Sequence, residues 1–275
     1  MDGILIVNKP LGKTSFDCVR DVRKEYNTKK VGHIGTLDPM ASGVLPILIG
    51  KATKLSDILI EHDKDYIATL KLGEKRDTGD QEGEVIETSS IPDLSESKII
   101  EILNTFLGET SQIPPMYSAL KVNGQKLYDL ARKGETVERN PRKITITSIE
   151  LINFNKSENI IEFKVTCSKG TYIRVLCEDI AKKLGTCGYM ASLKRTRVGN
   201  FKIENENKFI EMKDIFTDIP TIEINEKDIK KLINGVPINL KSNYENGICN
   251  LISNNEYLGI GDIKNNTIKR KILTV

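Results

Sequence analysis

Tryptophan is absent, histidine occurs twice, and aromatic residues make up only 5% of the 275 residues. Cysteine is sparse and odd in number: Cys18, Cys167, Cys177, Cys187 and Cys249, with no Cys-x-x-Cys pair. With only His33 and His62 to add, the ligand clusters of a zinc site are missing. Reduced thiols in a cytoplasmic protein are the economical account. No apolar run approaches the ~20 residues of a membrane span. Met1 to Pro10 lacks the charged start and small-residue cleavage site of a signal peptide. A cytoplasmic protein that does not cross a membrane is therefore expected.

A strong charge of one sign is also lacking, since 41 Lys and Arg face 38 Asp and Glu for a net charge of +3. Dedicated electrostatic nucleic-acid binders are more basic, so an RNA partner is permitted but not demanded. Two basic runs stand out, Lys194-Arg195-Arg197 and Lys269-Arg270-Lys271; each alone reads as a solvated face. The hydrophobic fraction of 39% and charged fraction of 29% are those of a globular protein. The length suits one large domain with a small satellite.

Gly3 to Asn8 reads as a buried strand, and Thr14 as the N-cap of a helix running to about Tyr26, with Asp17 in its first turn. Lys29 to Gly43 is crowded with Gly, Pro, Thr and Asp and reads as a loop. Val44–Ile49, Asp65–Leu72, Met116–Val122, Ile144–Phe154 and Ile160–Cys167 are strand candidates, and Val85-Ile86 is a short one. Gly73 to Gly83 is a charged surface loop. Ser95–Phe106 places Ile99, Ile100, Leu103 and Phe106 on one helical face. Lys126–Arg132 is a short helix. In Tyr172–Leu184, Ile173, Leu176, Ile180 and Leu184 follow the 3.6-residue period. Met190–Phe201 returns to extended character. Strands and helices mix without strict alternation, which predicts an α+β protein with a largely antiparallel sheet. From Lys227 the composition turns to Asn and Lys, with eight basic against four acidic side chains and β-like runs at Ile248–Ile252 and Thr267–Val275. A large domain over 1–220 and a small β-rich domain over 225–275 are expected.

The informative stretch is Gly32-His33-Ile34-Gly35-Thr36-Leu37-Asp38-Pro39-Met40-Ala41-Ser42-Gly43-Val44-Leu45-Pro46. It is a glycine-punctuated loop feeding a buried strand, with one carboxylate between a leucine and a proline. Leu37 seats the loop, Pro39 restricts Asp38 to extended conformations, and the glycines let a ligand approach the backbone. An isolated Asp-Pro usually only starts a turn; held ionised, the same aspartate is a nucleophile or base.

The whole run closely resembles the motif around the catalytic aspartate of the TruB-type tRNA pseudouridine synthases, which isomerise uridine 55 in the T-loop. Lys64-Asp65-Tyr66 resembles that family's tyrosine motif. Asp77-Thr78-Gly79-Asp80-Gln81-Glu82-Gly83 resembles its acidic loop, with Arg76 where the family commonly has threonine. Pro114-Pro115-Met116-Tyr117-Ser118-Ala119-Leu120-Lys121, with Gly124, Tyr128, Ala131-Arg132 and Gly134, resembles the next block. Gly170-Thr171-Tyr172-Ile173-Arg174 and Leu193-Lys194-Arg195-Thr196-Arg197-Val198-Gly199 resemble the last two. The likeness is firm and in order to about residue 215; the tail resembles a compact PUA-like RNA-binding domain only in length, basic charge and glycines such as Gly259 and Gly261.

The resemblance implies roles. Asp38 is the catalytic carboxylate, Arg174 its two-point cationic partner, Tyr66 the ring stacked on an extruded base, and Tyr172 a neighbour that positions the pair. Leu193 is the apolar wall. His33 contacts RNA at the vacated site. Lys9 meets phosphate, Asp80 contacts RNA or shapes its loop, and Lys121 and Arg132 approach the substrate backbone. The reaction loses no group and changes no oxidation state, so no metal or cofactor is implied. The partner is the T-arm hairpin of tRNA, the protein a monomer. Covalent attack by Asp38 and a glycal-like route both remain open. The rival readings are a tRNA-binding and folding protein in which catalysis is secondary, and a sugar-processing enzyme, which needs a second carboxylate opposing Asp38.

Overall fold

The apolar run at Ile4–Val7 forms β1 (Gly3–Lys9), and α1 (Ser15–Glu25) follows. Thr14 caps α1 in a reciprocal box: its hydroxyl accepts from the Asp17 amide, and the Asp17 carboxylate accepts from the Thr14 amide. Beyond it come β2 (Val31–His33), β3 (Ala41–Ile49), α2 (Ser56–Leu59), β4 (Lys64–Leu72), β5 (Glu74–Arg76), β6 (Val85–Thr88) and α3 (Glu96–Asn104). Next are β7 (Gly108–Gln112), β8 (Lys121–Val122), β9 (Gln125–Lys126), α4 (Leu127–Ala131), β10 (Arg142–Asn155) and β11 (Ile160–Cys167). Helix α5 (Ile173–Lys183) leads into β12 (Gly188–Val198), β13 (Phe201–Lys202) and β14 (Phe209–Glu211). The chain ends in β15 (Thr221–Glu223), α6 (Glu226–Ile233), β16 (Ile238–Asn239), β17 (Gly247–Ser253), β18 (Glu256–Lys264) and β19 (Thr267–Leu273). This computed structural model describes every residue except Ala119, Asn123 and Val275, and Lys121 in its backbone alone. The expectation for the Lys121 side chain therefore lies outside the described residues.

Ten strands make the large sheet, along the path β14-β1-β3-β12-β4-β11-β10-β7 with β2 beside β3 and β13 beside β12. Its pairings are antiparallel except one: β12 runs parallel to β3, with Leu193, Lys194 and Arg195 opposite Ala41, Ser42 and Gly43. The expected α+β class with a largely antiparallel sheet is what forms. α5 buries Leu176, Cys177, Ile180 and Ala181 against β4, β11 and β12, and α3 adds Ile99, Ile102 and Leu103 to the same core. A second core joins β1 and β3 to Leu55, Leu59, Phe201 and Phe216, and Ile260 of β18 enters it. The five-stranded sheet β15-β17-β18-β19-β16 thus packs on the first half of the large one while keeping a core of its own around Leu232, Leu251 and Ile263. Among the described residues no helix is long and apolar enough to cross a membrane.

Several expectations need correction. Met116–Val122 is not a strand; only Lys121–Val122 pairs, with Gln125–Lys126. The Gly73–Gly83 loop holds β5, which folds back on β6, and Lys29–Gly43 holds β2. In α3 it is Ile102 that is buried and Ile100 that faces solvent. β7 was not anticipated because Glu-Thr-Ser-Gln shows no apolar alternation; it is a polar edge strand whose one buried residue is Gln112. β18 and α6 were likewise missed in the Asn- and Lys-rich tail.

Gly43 was expected to admit a ligand. It admits a neighbouring strand instead: its φ is +108°, and a Cβ there would lie 2.1 Å from the Arg195 carbonyl oxygen. Gly43→Ala is expected to destabilise the protein by ~3 kcal/mol or more, through strain and overpacking together. Thermal melts check this; a parental midpoint would show that the β3–β12 junction can spread.

Candidate active site

Leu37 is buried, and that drives the shape of the segment carrying Asp38. Ser15, at the start of α1, donates its hydroxyl to the Leu37 carbonyl (3.0 Å) and accepts from the Leu37 amide (2.8 Å). On the far side of Asp38, the Pro39 carbonyl accepts from the Gly12 amide (2.9 Å) and the Lys9 ammonium (3.3 Å). The loop is thus tied down before and after the aspartate, whose side chain stays 41% exposed. It faces a cleft of about 620 Å³ at the β3–β12–β4 junction.

Arg174, in the first turn of α5, brings a guanidinium to that cleft. Its Nη2 lies 3.2 Å from Asp38 Oδ2 and donates to the Tyr117 carbonyl at 2.7 Å. Its Nη1 donates to the Thr78 carbonyl at 3.0 Å and lies 3.5 Å from Asp80 Oδ2. The expected two-point clasp of Asp38 is therefore corrected: the fork divides between two carboxylates and two carbonyls. Of the two roles expected of Asp80, RNA contact and shaping of its loop, the geometry favours the second. Its carboxylate is buried, accepting from the Thr78 hydroxyl (2.7 Å) and the Glu82 amide (3.1 Å), so it braces Arg174 and its own loop.

Tyr66 on β4, Leu193 and Met190 on β12, and Tyr172 line the same cleft. Burial pushes the Tyr66 phenol up, and the Arg195 cation pulls against it. Tyr172 caps α5 and is held through its backbone by Gln112 of β7, which accepts from the Tyr172 amide (2.9 Å) and donates to its carbonyl (3.1 Å). Burial raises the Tyr172 phenol as well, with the Ser118 hydroxyl opposing. Asp38, Tyr66, Leu193 and the neighbouring Tyr172 and Arg174 are thereby brought to one cavity from four separate stretches of chain.

The remaining candidates fall elsewhere. Lys9 cannot meet phosphate: its ammonium is fully buried, donating to the carbonyls of Lys13 (2.6 Å), Pro10 (3.0 Å) and Pro39. His33 is half-buried on β2, and its Nδ1 has no partner among the described residues. Burial, then the Arg195 cation, hold its imidazole below the usual 6.5, so it is neutral near pH 7. Arg132 ends α4 with its guanidinium over the Tyr128 ring, outside the cleft. The Lys194-Arg195-Arg197 run is no solvated face. Lys194 is exposed, Arg197 is doubly bonded to Asp65, and Arg195 is buried.

Sequence reasoning missed Gln112, Lys64 and Arg142 of this neighbourhood. Lys64 is buried on the cleft wall with its ammonium on the His62 carbonyl (2.6 Å), and burial followed by Arg195 lowers its pKa. Lys64 stands within the tyrosine motif, but only its burial on backbone carbonyls, with no carboxylate partner among the described residues, marks it out. Arg142 lay in a strand-start pattern with no local signal.

Comparison with known proteins identifies the family. The model of the TruB family pseudouridylate synthase N-terminal domain matches residues 23–173, and that of the tRNA pseudouridylate synthase B C-terminal domain matches 174–237. Proteins named tRNA pseudouridine synthase B are 46% identical in Clostridium kluyveri, covering 95% of each chain, and 44% identical in Caldanaerobacter subterraneus, covering 99% of each. The fold is shared with a solved Cbf5-Nop10-Gar1 complex (TM-score 0.73, 23% identity, 99% of this chain and 85% of that one). It is shared equally with an H/ACA RNP bound to a substrate RNA containing 2′-deoxyuridine (TM-score 0.72, 22% identity, 99% and 85%). With family models matching residues 23–237 and relatives of this identity along nearly its whole length, the chain belongs to the TruB family of pseudouridylate synthases.

Proposed function

We propose that the protein isomerises uridine to pseudouridine in tRNA, at position 55 of the T-loop, with Asp38 as the carboxylate acting at the glycosidic linkage. The observation that carries this reading is the Asp38–Arg174 pair, set on the wall of a cleft that also presents Tyr66, Tyr172 and Leu193. The C1′–N1 bond breaks and a C1′–C5 bond forms; the proton leaving C5 is matched by one gained at N1. Atoms and electrons balance with no co-reactant. Asp38 acts by attack or by electrostatic assistance, Tyr66 stacks on the base and is placed to move a proton, and Leu193 with Met190 excludes water.

A nucleotide reaches this cleft only after leaving its stack, at a cost of a few kcal/mol (~2–4). The cavity volume suits one nucleotide. Its rim supplies the attraction through exposed Arg142, Lys143 and Lys169, with Lys64, Arg174 and Arg195 buried in its wall behind Asp38. Neutral His33, on β2 just before the Gly35–Asp38 loop, is suited to stack in the vacated position. Residues 225–275 form, on this reading, a compact PUA-like domain carrying exposed Lys269, Arg270 and Lys271 on β19 to the RNA. The protein works as a cytoplasmic monomer on the T-arm hairpin.

Purified protein incubated with unmodified tRNA is expected to yield pseudouridine at one T-loop uridine, mapped chemically or by mass spectrometry. Affinity for tRNA should fall as salt rises, with a log–log slope of about −0.7 to −0.9 per phosphate neutralised. Pseudouridine in another arm, or none, overturns the assignment; a flat salt response removes the basic rim from it.

A further inference from the structure

Alternate positions along a strand face opposite sides, so one member of a basic run can be forced inward. Arg195 is that member. It is 1% exposed and the largest fully buried side chain in the molecule. Among the described residues it has no carboxylate partner; carbonyls take its N–H groups. Nε donates to Val44 (2.8 Å), Nη2 to Gly35 (3.0 Å) and Nη1 reaches Thr36 (3.5 Å). Across the sheet Arg195 lies opposite Tyr66, its antiparallel register partner on β4, and the Tyr66 phenol acts on its cation. A buried cation held only by dipoles is costly, and an apolar side chain of that volume would fill the space. The position is also kept clear for it, since a Cβ on Gly35 would press its Nη1 at 3.2 Å.

We propose that Arg195 is a positioning residue that couples the two sides of the site: it clamps the Gly35–Thr36 segment leading to Asp38 and directs the Tyr66 phenol proton toward the base. A guanidinium donates and never accepts. With that fixed cation opposite it across β12 and β4, the Tyr66 oxygen turns toward Arg195, so its own proton points away into the cleft. One side chain thereby sets both the reach of the carboxylate and the direction of the phenol. Lysine keeps the charge but has one nitrogen, too few for contacts that diverge to Val44, Gly35, Thr36 and Tyr66.

The inference rests on the cleft being the uridine-isomerising site, and the parental protein serves as the control for that. If the parent forms no pseudouridine in unmodified tRNA, the functional reading fails and not this one. The test compares Arg195→Lys, Arg195→Met, Tyr66→Phe and the Met/Phe double variant of the full chain. Single-turnover rate, tRNA Kd, melting temperature and pH–rate profile are measured. Arg195→Lys is expected to fold, bind tRNA within about threefold of the parent and react about 100-fold more slowly, as for loss of an oriented proton donor. The double variant should be no slower than the worse single, because both changes break one coupled unit. Burial raises the Tyr66 phenol and the Arg195 cation restrains it, so removing the cation should move any alkaline limb to higher pH. A Lys variant at the parental rate overturns the proposal. So do losses at 195 and 66 that multiply, or a Lys variant that fails to fold, either of which makes Arg195 scaffold alone.

Discussion

Asp38→Asn is expected to bind tRNA with an unchanged Kd and to form no measurable pseudouridine. The substitution keeps the shape of the side chain and removes its charge. The loop does not depend on that charge: Leu37 is held by Ser15, Pro39 by Gly12 and Lys9, and Gly35 and Thr36 by Arg195. The Asp38 carboxylate is half open to solvent, so its ion pair with Arg174 adds little to stability. The loss should therefore fall almost entirely on the chemical step, at about 10⁴-fold or more in single-turnover rate, the scale seen when an essential reacting group is deleted. Product at the parental rate would remove Asp38 from the mechanism. A variant that makes no product yet sustains the cellular role of the parent would favour the rival reading, in which tRNA capture and refolding is the main task.

Arg174→Met is expected to cost both activity and stability, and the second loss is the one Asp38→Asn does not show. Arg174 is buried and serves Asp38, Asp80, Thr78 and Tyr117 at once. Without it the Asp80 carboxylate stays buried with a hydroxyl and an amide but no cation. Removing one member of such a buried pair costs ~3–5 kcal/mol. For a chain of this size that lowers the melting midpoint by roughly 6–15 °C. Arg174→Lys should fall between, since one ammonium cannot reach four divergent acceptors. Asp80→Asn is the companion test: it should lower the midpoint and leave tRNA affinity within about twofold, as the burial of an uncharged amide beside Arg174 dictates. If Asp80→Asn instead weakens tRNA binding at an unchanged midpoint, Asp80 contacts RNA after all. Melting curves and filter-binding or fluorescence titrations separate the outcomes.

How much of this was legible beforehand varies from element to element, for physical reasons. The α1 cap was readable because a capping box is local chemistry between Thr14 and Asp17. β10, β11 and α5 were readable because their apolar periods survive in one dimension. β7 was not, since an edge strand of polar residues pairs through its backbone and carries no pattern. The Met116–Val122 strand failed for the converse reason: short apolar runs suit a strand but do not require one, and this one turns to deliver the Tyr117 carbonyl to Arg174.

The charged candidates divide in the same way. Asp38, Arg174 and Tyr66 were named through motif likeness, and the fold brings all three to the cleft. Lys9 and Arg195 read in sequence as RNA-facing or solvated groups, and Asp80 as an RNA contact or a shaper of its loop, because a charged side chain in sequence is exposed by default. Their burial depends on acceptors far along the chain: the Pro39 carbonyl for Lys9, Arg174 for Asp80, and Val44 and Gly35 for Arg195.

By itself the order of residues determined the local elements, the α+β class and the motif set that points to the TruB family, since each is written in neighbours a few positions apart. Only the tertiary structure decided which cations line the cleft beside Asp38 and which are buried struts. That choice is made where β12 lies parallel to β3, a pairing between residues about 150 positions apart whose burial and hydrogen bonds exist only once both strands are in place.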